Sequence, residues 1–476
     1  TLNVAWSVSR AVAAVFRFYA FASTYQAPDA TAAAESKQVA AADADKSLGF
    51  MALAFARHDA ASHYSLDPDA AESPALPDDH AMSPGPATPQ AGKKRVSGGG
   101  GAAEDDGVLT RFGRMLSNAF MPGDASVTHR ELSNKLRVKD FDLLRVVGKG
   151  AFGKVMLVRK KTEPNKGEIF AMKVLKKSMI AAKGQVEHTK SERSILCEIH
   201  HPYIVCLRFA FQSDEKLYLI TDYYNGGSLF YHLRKSRGFS ENRARFYAAE
   251  LCLALSHLHE HHIIYRDLKL ENVLMDQFGH IALTDFGLSK EGVDDVTLLQ
   301  LTTFCGTAEY IAPELLKGQK YGAGVDWWSF GVLLYEMMGF RTPFYDKNRK
   351  LMFHGIINNE PLWQPHFSQS ATQILHGLLR KPPQLRLGSG QAGAADIKAH
   401  PFFAPIDWDL LMERKLEPPF KPDVNTNVDV RYVPKTYLNQ QPRDSVDKSA
   451  LKSTSVEFDN FTYVPKNPLD QAADEE

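Results

Sequence analysis

The 476-residue chain is long enough for more than one folded unit, and its 44% hydrophobic residues are enough for a sizeable core. Its 56 basic and 56 acidic residues balance to zero net charge, which removes any bulk electrostatic argument for nucleic-acid binding and leaves charge-driven recognition to local clusters. The four cysteines (Cys197, Cys206, Cys252 and Cys305) form no CxxC or His-linked ligand set, the pattern of a reduced intracellular protein without structural zinc.

Residues 1–25 are rich in apolar side chains, but no apolar run approaches the ~18 residues that span a bilayer. Val4, Val8, Val12, Val15 and Tyr19 recur at helical spacing; the stretch is nonetheless read as an unstructured leader rather than an amphipathic or transit-like helix. Ala, Asp, Pro, Ser and Gly then dominate, so residues 1–110 are expected to be mostly disordered, for want of apolar surface to offset the entropy of ordering. Within them Lys93, Lys94 and Arg95 precede Ser97, while Ser83 and Thr88 each precede proline. Such phosphoacceptor-like motifs also recur by chance in solubilising linkers. Over 111–140, Phe112, Met115, Leu116 and Phe120 recur at helical spacing and predict a short helical lead-in.

Strand-like alternation begins at Phe141 and runs into Gly148-Lys149-Gly150-Ala151-Phe152-Gly153, where three glycines let the backbone approach a phosphate. A dinucleotide site would open a helix at the third glycine; here residues 155–159 continue as a strand, which makes a hairpin lid. Lys173 lies inside the next apolar strand and needs an anionic partner. Glu192 stands in a helical pattern, where it would otherwise be an ordinary exposed glutamate. Two more strands lead to Thr221, Asp222, Tyr224 and the hinge-like glycines 226 and 227. Residues 265–272 (YRDLKLEN) form a polar cluster between an apolar helical pattern and an apolar strand pattern. Asp285-Phe286-Gly287, a threonine-rich run at 302–307 and Ala312-Pro313-Glu314 follow in that order.

The glycine loop, Lys173, Glu192, RDLKxxN, DFG and APE together resemble a eukaryotic protein kinase. The resemblance implies an α+β, bilobal fold at 141–403, with a small β-rich N-lobe (141–222) and a larger helical C-lobe (223–403). It also implies ATP and Mg²⁺. Gly148, Lys149, Gly150, Ala151, Phe152, Gly153, Val155, Ala171, Lys173, Thr221, Asp222, Tyr224, Glu271 and Asn272 would line the nucleotide site, with Thr221 as gatekeeper. Asp267 would orient or accept the hydroxyl proton and Lys269 would neutralise the γ-phosphate. Asn272 and Asp285 would hold the metal, and Thr307 would bridge Asp267 and Lys269, which goes with Ser/Thr substrates. Glu314 is expected to pair with Arg386, and Asp326 to brace the catalytic loop. The intact set argues against the competing reading, a binding module of pseudokinase type.

Tyr265, the TFCGT run and residues 407–422 narrow the resemblance to the AGC group, near protein kinase B, the serum- and glucocorticoid-regulated kinases and the ribosomal-protein kinases. This implies a C-terminal tail (404–466) wrapping the N-lobe, followed by a disordered end (467–476). It further implies activating phosphorylation at Thr303, paired with His188, Arg266 and Lys290, and at Thr462 behind the anchors Phe458 and Phe461. Implied partners are protein substrates with basic residues near Ser or Thr, read by Glu271 and Glu336, and an upstream phosphoinositide-dependent-type kinase docking at the tail; nucleic acid and a transmembrane segment are not expected. The expected state is a cytoplasmic monomer with nuclear access. The chain departs from the group at three points. Gln441-Pro442 replaces a turn-motif Thr-Pro, with Ser445 as a substitute acceptor. Tyr432 and Tyr437 are expected to serve as the aromatic of the aromatic-acid pair over ATP, whose acid is missing, and Ser228 replaces a hinge glutamate, predicting weaker selectivity for arginine-rich sites. No pleckstrin-homology pattern is legible in the first 140 residues.

Overall fold

A computed structural model describes residues 136–150, 152–163, 165–292, 306–444 and 458–465. The leader, the residues proposed for the lead-in helix (Phe112 to Phe120) and the final residues 467–476 lie outside these. The described end of the lead-in is a 3₁₀ turn, Val138–Asp140.

The N-lobe is a five-stranded antiparallel sheet, ordered β1-β2-β3-β5-β4, of β1 (Phe141–Gly150), β2 (Gly153–Lys160), β3 (Ile169–Lys176), β4 (Leu207–Gln212) and β5 (Lys216–Asp222). The hairpin lid closes at Gly150 opposite Gly153. At Gly153 a β-carbon would lie 1.7 Å from the carbonyl oxygen of Val174, so only glycine lets β2 start against β3. Period-two alternation sorts β3: Phe170, Met172 and Val174 join an outer apolar core with Phe141, Met156, Phe209 and Ile220. Ala171 and Lys173 therefore point to the other face, with Lys173 in register with Val155 and Leu219.

Two helices follow β3, α1 (Lys177–Ala182) and α2 (Val186–Glu198). The C-lobe begins with α3 (Leu229–Ser236) and α4 (Glu241–Glu260), capped by the hydroxyls of Ser228 and Ser240. A two-stranded ribbon, β6 (Val273–Met275) and β7 (Ile281–Leu283), precedes α5 (Pro313–Leu316), α6 (Gly324–Gly339), α7 (Arg349–Asn358), α8 (Gln369–Leu378) and α9 (Ala394–Lys398). The tail adds α10 (Trp408–Met412) and α11 (Lys435–Leu438). Helices α4 and α6 are buried nearly all round and form the middle of the larger core. The hinge is welded to β6 through Gly226 N–H to the Met275 carbonyl (2.9 Å) and Met275 N–H to the Gly227 carbonyl (2.8 Å). Among the described residues no helix is long and apolar enough to cross a membrane.

The expected structural ion pair is present and fully buried: the Arg386 guanidinium donates to both oxygens of Glu314 at 2.6 and 2.8 Å. Arg386 also donates to the carbonyls of Arg380, Lys381 and Gly324, so the charge leaves water with its donors satisfied. Removing one partner strands the other, and Arg386→Ala is expected to lower unfolding free energy by about 3–5 kcal/mol. Urea titration followed by tryptophan fluorescence measures it; a loss under about 1 kcal/mol would mean the pair is no better than a surface bridge.

Candidate active site

The loop at 265–272 is placed by Asp326. From the first turn of α6, its carboxylate accepts the backbone N–H of Tyr265 (2.9 Å) and Arg266 (2.8 Å) and lies 2.8 Å from His259 Nε2. The Tyr265 hydroxyl donates to the Thr284 carbonyl and its ring packs edge-on to Phe286 at 5.3 Å, locking the loop to the start of DFG. Arg266 and Asp285 both adopt left-handed backbone (φ +67° and +64°), unusual for side-chain-bearing residues and tolerated where the surroundings over-determine them.

In this frame Asp267 Oδ2 accepts from Lys269 Nζ at 2.8 Å and Asn272 Nδ2 at 3.0 Å, while Oδ1 accepts from Thr307 Oγ1 at 3.1 Å. Lys269 also reaches Thr307 Oγ1 at 3.0 Å, so the predicted bridge is present. Burial raises the Asp267 pKa above the ordinary carboxylate range and Lys269 opposes it. Across the cleft Lys173 Nζ lies 2.6 Å from Glu192 Oε1 and 3.1 Å from Asp285 Oδ1. Burial works against the Lys173 charge, but Asp285 and Glu192 outweigh it and hold its pKa above the usual value. Lys173 in turn lowers the Asp285 pKa, so Asp285 is a carboxylate at neutral pH. The Asn272 nitrogen also donates to the Asp267 carbonyl (2.9 Å), which leaves the hard acceptor Oδ1 as what this side chain can offer a cation. Asn272 and Asp285 thus fit a divalent ion completed by phosphate oxygens. Among the described residues no cluster of three or more His, Cys, Asp or Glu could hold a metal unaided.

Other expected residues are distributed unevenly. Gly148, Lys149, Gly150, Gly153 and Val155 lie in the hairpin lid, and Ala151 lies outside the described residues. Phe152 packs against the large core under Lys183, whose Nζ lies 5.3 Å from the ring. Thr221 is half-buried opposite Ala171 at the end of β5. Asp222 pairs its carboxylate with Arg208 at 2.7 and 3.1 Å, so only its backbone is left to line a nucleotide site. Tyr224 packs on the large core. Glu336 accepts from the Tyr310 hydroxyl, and burial, with Glu271 adding, pushes its pKa up to about 7. The two acids are therefore neighbours. Ser228 caps α3 by accepting from Tyr231 N–H at 3.2 Å, a helix-starting role that sequence reading missed.

His188, Arg266 and Lys290 come together. Burial lowers the His188 pKa and the two cations lower it further. Arg266 donates to the Leu288 carbonyl (2.6 Å) and the Tyr321 hydroxyl (3.0 Å). Thr303 and Cys305 lie outside the described residues. Burial pushes the thiols of Cys197 and Cys252 up to about 11 and 12, which makes them inert at neutral pH.

The tail returns to the N-lobe. Phe458 and Phe461 are each 2% exposed within the large core, and Tyr463 exchanges backbone hydrogen bonds with Ala210 on the edge strand β4 (2.8 and 2.9 Å). Arg193, the residue after Glu192, donates to the carbonyls of Phe461 (3.2 Å) and Thr462 (3.1 Å), and Gln212 to that of Phe458 (2.8 Å). Neither Arg193 nor Gln212 was legible as a tail contact, because both look like ordinary surface residues until the tail folds back. The two tail tyrosines correct an expectation. Tyr432 packs on the hinge at Gly227 and on Tyr231 and His232 of α3, and its hydroxyl meets Asp423 N–H at 2.8 Å. Tyr437 packs on the outer N-lobe core. Pro434 is the N-cap of α11, the short helix that carries Tyr437 onto β1 and the outer core.

Residues 141–403 match a family model described as a protein kinase domain. The chain is 49% identical over 337 residues to Protein kinase 2 of Dictyostelium discoideum, covering 69% of this chain and 68% of that protein. It is 43% identical over 355 residues to human RAC-beta serine/threonine-protein kinase, covering 72% of each. A RAC family serine/threonine-protein kinase homolog of D. discoideum is 48% identical over 339 residues, 70% of this chain and 74% of that protein.

Lys269 is the largest influence opposing the burial shift of Asp267, so Lys269→Met is expected to move that carboxyl further upward. Carboxyl-selective ¹³C NMR titration reads the shift; an unchanged or lower pKa would contradict the electrostatic description.

Proposed function

The chain belongs to the protein kinase family, as a Ser/Thr kinase of the AGC group resembling protein kinase B, and from that premise we propose that it phosphorylates Ser and Thr in arginine-containing protein sites under control of phosphorylation at Thr303 and Thr462. The observation that carries the catalytic reading is the convergence of Lys173, Glu192 and Asp285 on one side of the cleft with Asp267, Lys269 and Thr307 on the other. A scaffold has no physical need for that set.

In the proposed reaction the substrate hydroxyl oxygen bonds to the γ-phosphorus of ATP, the bond from that phosphorus to the β–γ bridging oxygen breaks, and ADP leaves. The hydroxyl proton passes to Asp267, whose raised pKa suits a proton acceptor held in hydrogen-bond reach. Lys269 neutralises charge on the transferred phosphoryl group, and Lys173, oriented by Glu192, holds the other phosphates. Mg²⁺, when bound by Asn272 and Asp285, supplies further neutralisation. Activity of the full chain toward arginine-containing peptides, against Asp285→Ala as control, tests this; equal incorporation by both proteins would discredit it.

Control follows the charges. The cluster of His188, Arg266 and Lys290 supports pairing with a phosphate on Thr303, which would order the activation segment. Arg193 beside Glu192 supports transmission from the hydrophobic motif to the Lys173 pair, and the same motif is the proposed docking point for an upstream phosphoinositide-dependent-type kinase.

Glu271 and Glu336 together support recognition of a substrate arginine. Because the Glu336 pKa is raised to about 7, its negative charge is lost as pH falls through that value. The KM for arginine-containing peptides is therefore expected to rise as pH drops from 8 to ~6, with KM for a peptide lacking arginine flat. Glu336→Gln should abolish the difference in slope. Parallel pH profiles for both peptides in the unaltered protein would remove Glu336 from substrate reading.

A further inference from the structure

The tail has a second fixed point on the N-lobe. Lys216 opens β5 and is 4% exposed, a depth at which an ammonium needs an anion. Asp444 supplies it. One carboxylate oxygen accepts from Lys216 Nζ at 2.5 Å and the other from the Tyr218 hydroxyl at 2.8 Å. Lys154 on β2 adds a bond to the Arg443 carbonyl at 2.7 Å. Lys154, Lys176 and Lys216 share this corner: after burial, the other two lysines depress the Lys154 pKa and Asp444 raises it.

The corner adjoins the groove that receives the tail's end. Lys216 is in register with Lys176 on β3, and the next residue, Lys177, holds its Nζ 5.7 Å from the Phe458 ring. Leu217 is in register with Gln212, the donor to the Phe458 carbonyl. The attachments at Asp444 and Phe458 thus grip adjacent rungs of one sheet. Asp444 also lies two residues after Pro442, in the stretch where Gln441 replaces the phosphoacceptor of the resembled group; Ser445 lies outside the described residues.

We infer that Asp444 is a positioning residue for phosphoryl transfer: its carboxylate pins the tail to the lysine corner without a phosphate and so holds Phe458 and Phe461 beside α2, which carries Glu192. The inference rests on the reading that tail docking supports the Lys173–Glu192 pair. A fixed charge here lets this attachment form without phosphorylation at position 441.

The test uses the full chain. Asp444→Asn is expected to lower kcat roughly three- to tenfold, the span of one link in a coupled network. It should leave peptide KM within about twofold, since no substrate contact changes, and should speed amide exchange over 458–465. On a Phe458→Ala background it should add no further loss. If Asp444 merely neutralised a buried lysine, removing the lysine as well would rescue the protein, because replacing both members of a buried pair is often neutral. The double variant Asp444→Asn/Lys216→Met is therefore expected to unfold like the unaltered protein yet keep the low kcat and fast exchange. Unaltered kcat and exchange in Asp444→Asn, recovery of both in the double variant, or full multiplication with Phe458→Ala would each overturn the inference. Fast exchange with unchanged kcat would also overturn the positioning role. That result would leave the phosphoryl-transfer reading intact, since Asp285→Ala tests it separately.

Discussion

The ammonium of Lys173 is held between two carboxylates from different parts of the molecule, Glu192 on α2 at 2.6 Å and Asp285 after β7 at 3.1 Å. This three-charge contact fixes sheet, helix and C-lobe loop relative to one another at one point. Its strength comes from partial removal from water: the Glu192 side chain is 6% exposed, so the attraction is screened far less than that of a surface bridge. Its cost comes from the same burial. Moving α2 away would leave Glu192 buried without its cation, which makes the arrangement close to all-or-none.

The tail brings distant sequence against the helix that carries Glu192. Phe458 and Phe461 extend the large core along the side of α2, and Tyr463 caps the otherwise open edge of β4. Arg193 ties the tail to the helix, since it sits one residue from Glu192 and grips main-chain carbonyls rather than side chains. Tyr223 and Asn225 meet the tail again at the hinge through the carbonyls of Asp429 and Thr426. The tail is thus bonded to the hinge, the N-lobe sheet and α2, all of which border the cleft.

A second set of constraints lies below the cleft. Asp326 takes up two loop amides, Arg386 closes on Glu314, and the Tyr265 hydroxyl reaches the residue before Asp285. These bonds let Arg266 and Asp285 hold left-handed backbone that neither would adopt alone. The loop carrying Asp267 and Lys269 is thus held from outside by residues of other elements.

What the sequence by itself determined was the set of chemical groups and their order. The hairpin glycines and the alternation that buries Met172 and Val174 while turning Lys173 to the cleft depend on short-range periodicity, whereas the Glu314–Arg386 pair and the Thr307 bridge were legible only through the resemblance to protein kinases. The tertiary structure alone decided which ordinary-looking polar residues meet. Ser228 became a helix cap, Asp222 was claimed by Arg208, and Tyr432 and Tyr437 went to the hinge and the outer core. Arg193, Gln212 and Asp444 acquired roles only when residues more than 200 positions apart came within hydrogen-bond distance. A charge's partner depends on where the chain returns in space, and local sequence pattern carries no record of that.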